Sequence, residues 1–270
     1  MVYFVSTPIG NLGDITLRGI EVLKSVDIIA CEDTRHSLPL LQKYDIKKPL
    51  VSYQKFNEEK VSEKLIEKLR EGKTVAVISD AGTPVLSDPG AVLINALINV
   101  GEPFTVVPGA NALLPALMMS GLNSANFCFI GFLPEKKSEC EKLLSAYKYV
   151  PASLVFYTAP HDMEKTTKTL FEAFGSRKAV AVKEITKMYE TRTEFVLGEI
   201  PDIDLRGEFV IVVDGYYRTE SFEGVSPLEH VKLYVKEGLK KTEAIKRVAK
   251  ERGISKSELY KTVIDEEENM

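Results

Sequence analysis

The sequence contains no tryptophan, and only three cysteines and three histidines in 270 residues. Cys31, Cys128 and Cys140 are widely spaced and form no CxxC pair, which argues against both a disulfide framework and a zinc site. With His36, His161 and His230 as the only imidazoles, no structural metal is expected. No run approaches the ~18 uninterrupted apolar residues of a membrane-spanning helix. The longest apolar stretch, residues 112–122, is broken by Pro115, Ser120 and Gly121. The first residues read as a strand, Val2 to Val5, and not as a basic segment followed by an apolar one. No signal peptide is therefore expected, and the cytoplasm is the expected compartment. The formal net charge of -4 gives no global excess of positive charge for coating nucleic acid, although a local basic face is compatible with it. Hydrophobic residues make up 44% and charged residues 27%, the balance of a soluble globular protein. The length suggests roughly two domains.

The first 110 or so residues alternate between short β-branched runs and helical patterns. Strands are predicted at 2–5, 27–31, 50–53, 74–78 and 104–107. Helices are predicted at 15–24, 34–44, 57–71 and 89–100, and from 110 onward. The 15–24 stripe is Ile15, Leu17, Ile20, Val22 and Leu23, and Gly72 stops the 57–71 helix. Such βαβα alternation implies a mostly parallel sheet with helices on both faces, whose ligands bind beyond the carboxyl ends of the strands. After about residue 122 the pattern becomes mixed α+β. Strands are predicted at 127–133, 153–157, 178–184, 194–199 and 208–214, with helices at 135–147 and 162–174. The tail reads as three short helices, 228–238, 241–253 and 255–264, with Thr242 and Ser255 as N-caps. The expected division is an α/β domain over 1–121, a second α/β domain over 122–222 and a helical unit over 223–270. Between residues 225 and 264 there are ten Lys/Arg and five Glu, so this segment carries +5.

The segments after the strands are rich in Gly, Pro, Asp, Thr and Asn. The first, from Pro8 to Asp14, has Gly10 and Gly13 but no GxGxxG. It reads either as an ordinary turn with Asp14 as N-cap or as the start of a phosphate-binding loop, with Glu32 and Asp33 supplying a ribose carboxylate. The stretch from Ser79 to Gly90 is too elaborate for a minimal turn and suits close backbone approach to a ligand. Asp88 in it has a second reading, as cap of the following helix. The turn at 107–112 offers backbone amides and Asn111 to a polar small molecule, or is simply a tight turn. The run from Glu32 to His36 is either an internal Asp33–Arg35 pair or a substrate-facing site. Gly207 to Val210 reads as the start of a strand. The basic tail has helix-turn-helix spacing, or else is a solvated helical cap.

Taken together and in order, STPIGNLGDIT, ACEDTRHS, ISDAGTPVLSDPG, VVPGANA, GFLP, FYTAPH and KEITK make this chain resemble the small-subunit rRNA methyltransferases of the tetrapyrrole (precorrin-type) methylase superfamily. The resemblance spans essentially the whole chain. It implies two α/β domains, with S-adenosylmethionine held between them, in a homodimer. It also implies 2′-O-methylation of a cytidine ribose in the decoding region of 16S rRNA on the small ribosomal subunit, with neither membrane nor metal as a partner. By the same resemblance the methyl-donor pocket comprises Ile9 and Gly10, then Asp80, Gly82, Thr83 and Leu86. Asn111 and Ala112, Tyr157 and Thr158, and Met188 complete it. Asn11, Arg35, Asn57 and Lys183 are the implied RNA contacts. Asp33, Glu184 and Lys187 are the candidates for moving the hydroxyl proton.

The chain departs from the family pattern at Thr158, where Glu is frequent, at Asp162, where Arg is frequent, and at Lys183, usually Arg. Gln54 and Phe56 stand where histidines are common. A sulfonium is already an activated methyl donor, so alignment of the ribose hydroxyl is the main demand on the protein, an effect worth up to ~7–11 kcal/mol. Two other classes fit parts of the sequence. One is a methylase of the same fold acting on a small tetrapyrrole. The other is a non-enzymatic nucleic-acid regulator using the tail, which leaves the strand-end loops without a role.

Overall fold

The structure is a computed structural model that describes residues 1–199, 201, 203–216, 225–236 and 238–268, the last five of these by backbone only. The chain forms two compact units, 1–216 and 217–270. The expected boundary at 222/223 lies outside the described residues.

The larger unit holds two sheets. The first comprises β1 (Val2–Val5), β2 (Ile28–Cys31), β3 (Leu50–Ser52), β4 (Val75–Ile78) and β5 (Phe104–Val107), in the order β3-β2-β4-β1-β5. Every pairing in it is parallel. The intervening helices are α1 (Leu17–Ser25), α2 (Thr34–Lys43), α3 (Glu58–Arg70) and α4 (Ala91–Val100). Strands buried on both faces read as continuous apolar runs, and alternate residues explain where each side chain goes. Val2, Phe4, Val75 and Val77 pack under α3 and α4 with Leu65, Leu93 and Leu97. Val5, Ile29, Ala76 and Ile78 pack on the opposite face with Leu23, Leu40 and Leu41.

The chain then enters α5 (Leu113–Ser120) and crosses to the second sheet. This sheet contains β6 (Phe127–Phe132), β7 (Ser153–Thr158), β8 (Lys178–Lys183), β9 (Thr191–Val196) and β10 (Phe209–Val213), in the order β6-β7-β10-β8-β9. Among the described strands of this sheet the β6–β7 pairing is parallel and the other three pairings are antiparallel. Helices α6 (Lys137–Tyr147) and α7 (Met163–Phe174) cover one face through Leu144, Leu170 and Phe174 against Leu154, Phe156 and Ile211. On the other face, Leu113, Ala116 and Leu117 of α5 lie against Val155, Val180, Val182, Val210 and Val212. The smaller unit is α8 (Pro227–Lys236), α9 (Lys241–Arg252) and α10 (Lys256–Glu268), joined by Val231, Tyr234, Ile245, Val248 and Leu259.

Local departures from the sequence expectations have identifiable causes. Asp14 is not a helix cap. It ends a 3-10 turn over Leu12–Asp14 capped by Asn11, and the hydroxyl of Thr16 caps α1 by accepting from Gly19 N at 3.0 Å. Leu17, expected on the apolar stripe, is 80% exposed because it sits in the first turn, before the helix reaches the sheet. Asp88 does not cap α4. Gly90 does, and its N–H donates to Glu58 Oε1 at 2.6 Å. Lys240 rather than Thr242 precedes α9, its carbonyl taking the first helical hydrogen bonds from Glu243 and Ala244. The strand expected at 194–199 is β9 at Thr191–Val196, an edge strand that pairs with β8 along its whole length.

Ile211 is fully buried in β10, the central strand of the second sheet. Ile211→Ala is expected to cost about 2–5 kcal/mol, read from urea unfolding followed by far-ultraviolet circular dichroism. A loss below about 1 kcal/mol would show that this face of the sheet is not packed as described.

Candidate functional site

The carboxyl ends of β1, β4 and β5 lie side by side, and the loops leaving them are tied together. Thr7 and Gly82 exchange two backbone hydrogen bonds of 2.8 and 3.0 Å, and Thr7 Oγ1 donates to Ser79 O at 3.1 Å. Thr83 Oγ1 donates to Ala110 O at 3.1 Å, so Ser6 Oγ, 3.0 Å away, is left as the donor to Thr83. Gly82 has φ +84, and a Cβ there would lie 3.2 Å from Ile9 Cγ2, so only glycine lets these loops close up without strain. Asn111 Oδ1 accepts from Leu114 N at 2.9 Å and fixes the start of α5.

Beneath these loops is a cavity of about 380 Å³, within the range that suits small-molecule ligands. Its walls are mostly apolar. The first sheet contributes Ile9, Gly82, Thr83, Leu86, Asn111 and Ala112. The second contributes Tyr157, Thr158, Ile185, Glu208, Phe209 and Val210. The register explains why these last residues meet. Phe209, the first residue of β10, pairs with Thr158 at the end of β7 and with Lys183 at the end of β8. Eight residues expected around a methyl donor therefore border one space: Ile9, Gly82, Thr83, Leu86, Asn111, Ala112, Tyr157 and Thr158. Gly10 and Asp80 instead line an adjacent cavity of about 350 Å³, together with Thr7, His36, Ser37 and Lys187. The two cavities share Ile9, Ala81 and Glu208. Met188 is 88% exposed and borders neither.

The backbone around both cavities is strained. Among the described residues, five that are not glycine have positive φ, and four of them, Val85, Ser87, Glu184 and Thr186, lie in the two segments that face each other here. Left-handed conformations cost of order 1–3 kcal/mol in such residues and cluster at functional sites. Asp88 lines the first cavity, and its pKa is raised to about 6. Burial is the main cause. The charge of Glu32 adds to it, while the Ser79 hydroxyl works the other way. Tyr157 on the same wall is pushed up to about 12, by burial first and then by Asp88.

Lys187 bridges the two sheets. Its stem lies flat on Gly10, where a Cβ would fall 2.4 Å from Lys187 Cγ. Its Nζ is 3.0 Å from Glu184 Oε1 and 2.9 Å from Glu208 Oε2. Burial opposes its charge, but the two carboxylates prevail and hold the ammonium above its ordinary pKa. Burial likewise opposes ionisation of Glu184, yet the Glu208 N–H and Lys187 keep this carboxyl below its ordinary value.

The remaining expected site residues lie apart from both cavities. Asp33 forms the expected pair with Arg35, 2.7 Å between Oδ2 and Nη2, which holds the Asp33 carboxyl down at about 2. Lys183 is 6% exposed, and its Nζ donates to the backbone and side chain of Asp204, each at 2.9 Å. Asn11 accepts from Gly13 N at 3.0 Å, and Asn57 Oδ1 accepts from Gln54 N at 2.8 Å. His36 Nδ1 is 3.7 Å from Asp80 Oδ2, a contact not anticipated from the sequence because the two residues belong to different loops. Glu208 was also missed, since a single Glu ahead of an apolar run carries no signal of its own. Among the described residues, no group of three or more His, Cys, Asp or Glu side chains is arranged to hold a metal ion. Among them too, no helix is long and apolar enough to cross a membrane.

The profile of the tetrapyrrole (corrin/porphyrin) methylases matches residues 1–201. A ribosomal RNA small subunit methyltransferase I from Bacillus subtilis (strain 168) is 41% identical over 273 residues, covering 96% of this chain and 92% of the relative. The protein of that name from Escherichia coli O157:H7 is 37% identical, covering 98% of this chain and 95% of its own. The chain belongs to the ribosomal RNA small subunit methyltransferase I family. Solved structures show the fold of this family's wider group. Diphthine synthase superposes with a TM-score of 0.65 at 16% identity, covering 79% of this chain and 89% of that one. Uroporphyrin-III-C-methyltransferase from Thermus thermophilus gives 0.57 at 23% identity, covering 79% and 93%. The tetrapyrrole methylase fold is thus the α/β architecture of two sheets described above, and the larger unit carries it.

Asp88 generates a pH prediction. Its carboxyl ionises at 3.8 in an ordinary setting and at about 6 here. The folded state therefore holds an extra proton between about pH 4 and 6, and stability falls as pH rises through that window. At neutral pH, Asp88→Asn is expected to be about 1–2 kcal/mol more stable than the parent. That is less than ~1.36 kcal/mol per pKa unit, because solvent partly screens the group. The advantage shrinks toward about pH 4. Urea titrations across that range check it, and a variant never more stable than the parent would refute it.

Proposed function

We propose that this chain transfers a methyl group from S-adenosylmethionine to the 2′-oxygen of a cytidine ribose in the decoding region of 16S rRNA. The substrate is the small ribosomal subunit, the setting is the bacterial cytoplasm and the working form is a homodimer. The expected division at 121/122 and 222/223 is kept as part of this reading. The observation that carries it is the junction at Ile9, Ala81 and Glu208, where a mostly apolar cavity opens beside a polar one. A two-substrate transfer requires such a pair of adjoining spaces. The names of the relatives support the rRNA substrate.

The residues present fit the donor. Ile9, Leu86, Tyr157 and Ile185 offer apolar walls to an adenosine, and the side-chain-free face of Gly82 leaves room for backbone contacts. Asp88 offers a carboxylate to a cationic ligand. S-adenosylmethionine supplies a methyl group already activated on sulfur, so the protein's work is alignment and proton removal. The tied loops at Thr7, Gly82 and Thr83 hold the donor side rigid. Thr7, Gly10 and Lys187 border the acceptor side. Lys187 and Glu184, paired with each other beside the acceptor side, order the charges around the hydroxyl proton. Asn11, Arg35 and Asn57 guide the RNA outside the two cavities, whereas Lys183, buried and bound to Asp204, holds that segment in place instead of touching RNA. The basic helices of the smaller unit add affinity for the rRNA backbone.

Purified protein incubated with labelled S-adenosylmethionine and small subunits lacking this methylation is expected to label a decoding-site cytidine at its 2′-oxygen. Thr83→Arg, which fills the donor cavity, is expected to weaken donor binding by at least about 30-fold in calorimetry, roughly 2 kcal/mol, and to abolish transfer. Donor binding without any transfer to subunits would overturn the substrate, and a tetrapyrrole acceptor would be tested next. Removal of residues 225–270 is expected to weaken subunit binding by about tenfold or more, with a shallower salt dependence. Donor affinity should stay within about twofold, because the donor cavity lies wholly within 1–216. Loss of both together would assign the tail a structural role instead.

A further inference from the structure

The proton of the acceptor hydroxyl needs a destination close to the point of transfer. Of the three residues shared by the two cavities, Ile9 and Ala81 carry no ionisable group, and Glu208 does. The other ionisable groups on these walls each face one side only. Asp88 and Tyr157 line the donor cavity alone, and His36, Asp80 and Lys187 the acceptor cavity alone. The Glu208 side chain is 76% exposed, so an incoming ribose can reach it. Lys187 Nζ contacts its Oε2 at 2.9 Å, while Oε1 has no hydrogen-bond partner among the described residues.

The surroundings fix the backbone of Glu208 on both sides, and Lys187 holds one oxygen of its carboxylate. The Glu208 N–H donates to Glu184 Oε1 at 2.8 Å, and the Glu208 carbonyl accepts from Glu184 N at 2.9 Å. Gly207 adopts φ +94 beside it, and a Cβ there would fall 2.5 Å from Glu184 Cγ, so the turn that presents Glu208 requires glycine. Lys187 is itself pinned over Gly10. Glu184 and Lys187 therefore form a frame, with Glu208 at its open edge.

Resting on the rRNA 2′-O-methylation reading above, we propose that Glu208 is the general base of the transfer, with Glu184 and Lys187 as positioning residues. Oε1 takes the proton of the 2′-hydroxyl as the O2′–C bond forms and the S–C bond breaks. The electron pair of the broken bond stays on sulfur, which leaves as a neutral thioether. Glu208 is left as a neutral acid and returns its proton to water after the product departs.

The test compares full-length parent, Glu208→Gln and Glu208→Asp. Donor affinity is measured by calorimetry, subunit affinity by filter binding and single-turnover transfer as a function of pH. Glu208→Gln is expected to slow transfer by about 10²- to 10⁴-fold and to lose the acid limb of the parent's pH–rate profile. Its donor and subunit affinities should stay within about threefold of the parent, and Glu208→Asp should recover part of the rate and the acid limb. A Glu208→Gln rate within about threefold of the parent, or an unchanged acid limb, would overturn the proposal while leaving the rRNA reading intact. A donor affinity lowered by about tenfold or more would also overturn it, making Glu208 a donor ligand. A parent that binds donor but labels no subunit would overturn the rRNA reading and this proposal with it.

Discussion

The packing of α5 against the second sheet fixes the geometry on which everything else rests. This helix is apolar along its length, but it buries one face, through Leu113, Ala116 and Leu117, while Leu114 and Met118 stay exposed. It leaves the first sheet directly after β5 and presents Leu113, Ala116 and Leu117 to the valines of β7, β8 and β10. Each leucine buried this way contributes about 1.5–3 kcal/mol, and the helix cannot leave the second sheet without opening that contact. Pro115 sits in the first turn, where a missing N–H costs little. Because the helix is short, the carboxyl ends of β1, β4 and β5 are held against one end of the second sheet, and both cavities form along that line.

The loops there are shaped against their own preferences. Val85 and Thr186 are β-branched residues in left-handed conformations, among the least favourable placements for such side chains. Local contacts hold them there: the Thr7–Gly82 bridge and the Thr83 hydroxyl on one side, and the Glu190 carboxylate accepting from Thr186 N at 2.6 Å on the other. The cost is met by the packed sheets beneath, which holds the backbone around the cavities in one fixed shape.

Much of this was legible in the chain itself. The parallel first sheet followed from β-branched runs alternating with amphipathic helices, and the strand-end loops stood out as clusters of Gly, Pro, Asp and Asn. Residues that depend on a single local hydrogen bond were misread. Asp14, Asp88 and Thr242 all have the chemistry of caps, but Thr16, Gly90 and Lys240 occupy those positions because neighbouring turns set the helix starts. Many of the residues lining the apolar cavity were reached through family resemblance, since a close backbone turn at Gly82 or Ala112 leaves no periodic trace. Glu208 escaped both routes. Its place is defined only by what it faces after two strands from distant parts of the chain have paired with β10.

That pairing has a consequence for accuracy. β10 is hydrogen-bonded on both sides along its entire length, so the residue just before it is indexed by two ladders at once. A slip of one position would exchange the faces of every side chain in the strand and carry Gly207 to the place of Glu208. The position of Glu208 at the meeting of the two cavities is thus set by a ruler five residues long.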